Sequence, residues 1–310
     1  MTRGTRTTPF FLAALAVIAG AAVPATASAQ RETRSRVDTT FAFSKGGWVD
    51  LNLPSGDIIV SGWTRPEARV VARIENGTLD TELSSGRISI SVRPRQRHTG
   101  NSHYELMVPI GTRVQASSAS GDIRIKATAG VVLVNTASGD VEVLDAADRI
   151  EIRTASGDVH AGKLRGRTRI NSASGDVQLE DVTGDITAQT VSGEITVRGA
   201  KSADMRAETT SGEITYVGSI EEKGSYQFSS HSGDVRLEIP AGAGALLQME
   251  TYSGTIHSAF PMTLQPGENI GRRRGKRMEF TIGSGGATIS VETFSGDITL
   301  GRSGRSGREE

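Results

Sequence analysis

"TASGDVEVLDAADRIEIRTASGDVHAGKLRGRTRINSASGDVQLED" occupies Thr136 to Asp181 and contains Ser-Gly-Asp-Val three times, with glycines at positions 139, 157 and 175. The spacing of eighteen residues holds from Gly121 through Gly139, Gly157, Gly175 and Gly193. Gly212 follows after nineteen residues, Gly233 and Gly254 after twenty-one each, and Gly296 after forty-two. Serine precedes every one of these glycines, and an acid follows most of them: Asp122, Asp140, Asp158, Asp176, Glu194, Glu213, Asp234 and Asp297, with Thr255 after Gly254. Two outlying copies, Ser55-Gly56-Asp57 and Ser85-Gly86-Arg87, precede the regular run. A fixed period of this length marks a repeat architecture.

Within each unit the residues alternate. Val141, Glu142 and Val143 follow Gly139, and Val177, Gln178 and Leu179 follow Gly175. Apolar, polar, apolar is the period of a strand with one buried face. A second alternating segment appears half a repeat later, at Val132 and Val134, Ile150 and Ile152, and Thr168 and Ile170, with Gly130, Gly166 and Gly184 at the intervening corner. Each unit therefore reads as strand, turn, strand, turn. Hairpins would not need identical spacing over so many copies, whereas units stacking like on like do. The period predicts an all-β parallel solenoid of about eighteen-residue coils, with an irregular N-terminal β cap.

The tetrapeptide itself belongs to the corner. Glycine suits a position needing φ > 0, and serine and aspartate side chains bond turn amides. Three residues before each glycine stands a hydroxyl: Ser118, Thr136, Thr154, Ser172, Thr190, Thr209, Ser230, Thr251 and Thr293. We expect these nine to form an internal ladder that satisfies corner backbone groups.

The remainder of the 310 residues divides around the repeat. Arg3 and Arg6 ahead of the apolar Phe10–Val23, with Ala27-Ser28-Ala29 before Gln30, read as a signal peptide over 1–29. Residues 30–37 are expected to be a flexible start of the mature chain, 38–118 a β segment capping the first coil, 119–300 the solenoid, and 301–310 a disordered Ser/Gly/Arg tail. A long loop, 258–280, overwrites one unit between Gly254 and Gly296. The chain has no cysteine and equal numbers of acidic and basic residues, and removal of Arg3 and Arg6 leaves it close to neutral. Disulfides and a lipid-bearing cysteine are thereby excluded, and nothing after residue 30 has the length of a membrane span. The address is exported, periplasmic or secreted. A neutral exported chain gives no reason to expect nucleic acid as a partner.

"VPIGTRVQASSASGDI" (Val108–Ile123), leading into serial Ser-Gly-Asp units closed by "IGSGGATISVETFSGDITL" (Ile282–Leu300), resembles the family of exported bacterial proteins known as "putative adhesin". It is also similar to autotransporter-adhesin head regions. The likeness spans roughly residues 40–300. It implies a right-handed parallel β-helix and brings no catalytic motif. The chain departs from such proteins in having no lipid-attachment cysteine, wall-sorting signal or autotransporter barrel.

Three features are candidates for function. Asp122, Asp140, Asp158 and Asp176 form a column of acids that either caps turn amides or holds weakly bound Ca²⁺. Calcium-binding β-rolls carry acids at every corner, however, and here alternate corners read Ala129-Gly130-Val131, Asp148-Arg149 and Gly166-Arg167. The position two before glycine runs Ala119, Ala137, Ala155, Ala173, Val191, Thr210, His231, Tyr252, Phe294, growing bulky toward the long loop. Its rings either pack under that loop or offer a sugar-stacking platform. The run Arg272, Arg273, Arg274, Lys276 and Arg277 is the strongest local charge, a solvated loop or, with Tyr252 and Phe294, an anion or glycan contact. His98, His103, His160, His231 and His257 show no metal-ligand spacing. The expected function is a non-catalytic, adhesin-like scaffold without a cofactor, meeting a cell-envelope glycan or surface protein. A carbohydrate-active β-helix enzyme and a calcium-stabilised repeat are the alternatives.

Overall fold

The computed structural model of the chain describes residues 30–93, 102–261, 263–264 and 276–303. Among the described residues there is no helix. The strands fall into one fifteen-stranded and one thirteen-stranded sheet. Each coil gives one strand to each sheet, and through the regular run successive coils pair in parallel at an offset of eighteen residues. Val132 stands opposite Ile150 in the larger sheet, and Val141 opposite Val159 in the smaller. Parallel stacking follows from the alternation. A coil buries only one residue in two, so its apolar edge must be sealed by an identical coil above and below. Val141, Val143, Ile150 and Ile152 are all at most 1% exposed, and a single apolar column runs the length of the molecule. The β-solenoid expected from the repeat is the fold.

The corner residues show why the tetrapeptide recurs. Gly157 has φ of 111°, and a β-carbon there would lie 2.3 Å from the carbonyl oxygen of Gly139 one coil away. Handedness of the backbone and closeness of the neighbouring coil each demand glycine. At the opposite corner Gly166 and Gly184 meet the same two demands, with φ of 108° and 113° and a β-carbon position 2.2 and 2.3 Å from the carbonyl oxygens of Asp148 and Gly166, but a neighbouring column there carries side chains. Ala127, Asp145, Lys163 and Asp181 all have left-handed φ between 52° and 56°, and Gly199 continues the column at 68°. Four side-chain-bearing residues thus accept a strained φ, which no turn signal in the sequence marks.

All nine hydroxyls of the expected ladder are buried. Ser118, Thr136, Thr154 and Ser172 donate to the carbonyl two residues ahead, at 2.9 to 3.1 Å. Thr209, Ser230, Thr251 and Thr293 instead donate to the corner glycine of an adjacent coil, at 3.0 to 3.3 Å. Thr190 Oγ1 has no partner. The switch coincides with the lengthened repeats, where the second corner is enlarged and filled by Tyr216, Tyr226 and Phe228. The Tyr226 hydroxyl donates to the Ser202 carbonyl at 2.5 Å and accepts from the Glu221 amide at 2.8 Å, which closes the enlarged corner.

Both ends depart from sequence order. At the N-terminal end, Trp48–Leu53 and Asp57–Trp63 already form a coil of the stack, pairing in parallel with Arg113–Ser118 and Ile123–Lys126. The solenoid therefore begins well before the expected boundary at 118/119, and the Ser55-Gly56-Asp57 copy belongs to the corner column. The chain then runs outward through Glu67–Ile74 and Thr78–Leu83. It returns as Arg87–Arg93 and Ser102–Pro109, which slot between those strands and the coil already laid down. The cap extends both sheets, and its antiparallel pairings, Glu67–Ile74 with Ser102–Pro109 and Thr78–Leu83 with Arg87–Arg93, break the parallel register of the coils, as an irregular cap should. Residues 30–37, expected to be flexible, supply the outermost strands Gln30–Arg34 and Arg36–Ala42, antiparallel to Thr78–Leu83 and Glu67–Ile74.

At the C-terminal end, the coil Ala245–Ser253 and Ile256–Ser258 lies outside the coil Ala287–Ser295 and Ile298–Ser303, although it comes first in the chain. The last coil in sequence is thus inserted between two earlier ones, which the spacing of forty-two residues did not reveal. The segment read as the long loop 258–280 ends in the strand Lys276–Ile282, which runs two residues past it, pairs antiparallel to Ala245–Ser253 and covers its edge. An uncovered edge would template pairing with other chains. The tail expected from 301 begins later, because residues 301–303 extend the strand Ile298–Ser303; the signal-peptide reading and the rest of the tail lie outside the described residues.

Candidate functional site

The acid column is occupied by the protein's own backbone. Oδ1 of Asp122 accepts the amide of Asp140 at 3.1 Å. Oδ1 of Asp140, Asp158 and Asp176 accept the amides of Asp158, Asp176 and Glu194, each at 2.9 Å. The column resumes where Asp234 accepts from Asp297 at 2.8 Å, and Asp297 from Thr255 at 2.7 Å. The Thr255 amide holds the Asp297 carboxyl below its usual range, because a donated bond favours the charged form. Glu194 and Glu213 are one methylene longer and leave the pattern; Glu213 takes the Thr215 hydroxyl and Arg236 instead, both at 3.0 Å. Among the described residues no group of three or more His, Asp or Glu side chains is placed to hold a metal.

Intercalation of the last coil reorders the ring column to His231, Phe294, Tyr252. Phe294 stacks on His231 at 4.9 Å and 11°, and on Tyr252 at 4.8 Å and 4°. The rings lie exposed, 49% for Phe294 and 44% for Tyr252, and most of the loop expected to cover them lies outside the described residues. Their faces are used by one another, and what they show to solvent is edges. A sugar that stacks needs a free ring face, so the stacking platform expected from this column is limited to its ends. Lys276 reaches the same corner and donates to the Gly254 carbonyl at 2.8 Å, and Arg277 stands opposite Glu250. Arg272, Arg273 and Arg274 lie outside the described residues.

The larger sheet carries a feature the sequence reading did not collect. One outward column runs across eleven strands as Ser91, Asn52, Ser117, Asn135, Arg153, Asn171, Gln189, Glu208, Ser229, Glu292 and Glu250. Ten strand spacings of about 4.8 Å make it about 48 Å long. Three concavities, of about 650, 530 and 690 Å³, lie along it. The first two share Arg153 and the last two share Gln189, so they lie side by side along the column, as a shallow trough on the sheet face. Its first third is amide and hydroxyl, its middle basic, and its far third acidic.

The basic middle centres on Arg165–Ser174, whose outward residues Arg165, Arg167, Arg169 and Asn171 include no acid. On the adjoining strand Glu151 is only 8% exposed; it takes Arg149 at 2.6 Å and also pairs with Arg153. Arg169 stands directly opposite Glu151 in register. The Arg149 hydrogen bond, then the charges of Arg153, Arg149 and Arg169, hold the Glu151 carboxyl below its usual range in spite of its burial. One carboxylate thus orients two guanidinium groups and faces a third. Arg167 meets Asp185 at 3.6 Å, while Arg169 makes no ion pair among the described residues. The sequence signal was present in "RGRTRIN" (Arg165–Asn171), where arginine alternates with period two, but Arg149 and Arg153 join it only through the stack.

A family model described as Toastrack DUF4097 matches residues 49–219 and 201–301. Among solved structures, that of "a putative cell adhesion protein" from Clostridium sporogenes aligns at 10% identity over 86% of this chain and 100% of that one, with a TM-score of 0.21. That of "a putative adhesin" from Bacteroides fragilis aligns at 12% identity over 88% of this chain and 98% of that one, with a TM-score of 0.40. Superpositions this loose carry no argument. No curated protein matches the chain.

Proposed function

The chain belongs to the Toastrack DUF4097 family, and we propose that it is a non-catalytic, adhesin-like scaffold, exported to the cell envelope or beyond, that presents one long sheet face to an envelope polymer or surface protein. The trough running across eleven strands of the larger sheet carries this reading. It is open along its length and lined mostly by amide, hydroxyl and arginine side chains suited to hydrogen bonding an extended partner. A general acid at neutral pH needs a carboxyl pushed upward. Among the described residues the shifted carboxyls, Glu151 and Asp297, are both pushed downward. Burial raises the hydroxyls of Tyr216 and Tyr226, and pushes that of Tyr104 up to about 12, out of reach of neutral-pH chemistry. Export rests on Arg3, Arg6 and the apolar Phe10–Val23.

Co-sedimentation of the purified chain with isolated cell-envelope material tests the scaffold role. Retention is expected. Absence of retention overturns the role, and release of oligosaccharides from acidic polysaccharides by the protein overturns its non-catalytic character.

A further inference from the structure

We propose that the basic middle of the trough, Arg153, Arg167 and Arg169 with Asn171, Thr187 and Gln189, is a subsite for a linear polysaccharide bearing carboxylates. The inference deepens the scaffold reading and rests on it.

Four observations carry it. The first is charge: the outward face of Arg165–Ser174 holds three arginines and no acid, in a chain that is neutral as a whole. The second is order. Glu151 is nearly buried and fixes Arg149 and Arg153, so guanidinium groups that would otherwise lose side-chain entropy on binding are already held. The third is an uncommitted donor, since Arg169 makes no ion pair among the described residues and lies within the same concavity as Arg153 and Arg206. Guanidinium presents a planar fork that matches a carboxylate through two parallel bonds, so Arg169, which faces Glu151 across the strand without pairing to it and shares a concavity with the oriented Arg153, is a carboxylate receptor in outline.

The fourth observation selects a sugar polymer over other polyanions. Asn135, Asn171 and Gln189 share one outward column with Arg153, and Thr187 stands opposite Arg169, so polar side chains recur about every 4.8 Å along the trough with neutral amides on both sides of the arginine. A hydroxyl-rich chain uses such a comb throughout its length, whereas a nucleic acid strand needs aromatic platforms for its bases. The concavity is lined only by Arg153, Arg169, Asn171, Thr187, Gln189 and Arg206, with no ring among them. The acidic far third of the trough, Glu208, Glu292 and Glu250, repels the same ligand and confines it to the middle and the neutral end.

The test measures binding of the purified full-length mature chain to polygalacturonate in the presence of a chelator, with dextran as the neutral comparison. The double variant Arg167→Glu/Arg169→Glu is compared with Arg198→Glu, which reverses an exposed charge on the opposite sheet. Wild type is expected to bind polygalacturonate and not dextran, with affinity falling as salt rises. The double variant loses tenfold or more while melting at the wild-type temperature, and Arg198→Glu stays within twofold. No binding by wild type, equal binding of dextran, or equal loss in both variants overturns the subsite. So does sedimentation showing that the double variant abolishes a dimer, since the occupant is then a second copy of the chain. Retention on envelope material without polygalacturonate binding removes this inference and leaves the scaffold role standing; polygalacturonate binding without envelope retention does the reverse.

Discussion

Oδ1 of Asp140 accepts the backbone amide of Asp158 at 2.9 Å, and Asp158 does the same for Asp176. The acid of each Ser-Gly-Asp corner therefore serves the coil that follows it. Parallel strands leave the first amide after a corner without a partner in the ladder, and the aspartate supplies one. Asp140→Ala is expected to lower stability by about 1 kcal/mol, the worth of one hydrogen bond at a hydrated site. Chemical denaturation reads the change, and a neutral result would show that water replaces the carboxylate without loss.

The same relationship bears on calcium. Each aspartate has one oxygen committed to an amide, and column neighbours share no ligand geometry among the described residues. Chelation is expected to leave the melting temperature unchanged. A drop of several degrees with a chelator, recovered by added calcium, would revive the calcium-stabilised repeat.

Gly157→Ala adds a methyl group 2.3 Å from the Gly139 oxygen at a φ of 111°. Strain and overpacking together should cost about 2–5 kcal/mol. Gly86 has open space around its Cβ position, and Gly86→Ala is expected to fall within about 0.5 kcal/mol of wild type. Thermal melts of the two variants side by side decide the point.

Two threonines of the hydroxyl ladder should behave differently. Thr154 donates to the Ser156 carbonyl at 2.9 Å, whereas Thr190 has no partner for Oγ1. Thr154→Val leaves a corner carbonyl unpaired and should cost about 1–2 kcal/mol. Thr190→Val removes an unsatisfied buried hydroxyl and should be neutral or stabilising. Equal losses in both variants would mean that the ladder stabilises through packing alone.

Glu151 gives the fold an acid limb. Its carboxyl is held below the ordinary value of 4.5, chiefly by Arg149. A depressed folded value contributes stability that is present above the unfolded value and is lost as pH falls through the folded one. Wild type should therefore lose more stability than Glu151→Gln as pH drops below about 4.5. Parallel pH curves for the two proteins would remove the charge cluster from the account.

The primary structure alone determined the repeating unit. A period of eighteen with alternating Val and Ile admits parallel stacking and little else, and the hydroxyl three residues before each glycine was legible because every coil places it identically. The tertiary structure decided which coils touch at the two ends. The coil containing Gly296 inserts between those of Gly233 and Gly254, and Arg87–Arg93 lies outside Trp48–Leu53. Every coil carries nearly the same edge, so local pattern cannot rank one neighbour above another; the choice is made by long-range pairing and by the need to cover the last edge. The trough has the same origin. Arg153 and Arg169 are sixteen residues apart in the chain, and only the one-coil register places them on adjoining strands around Glu151.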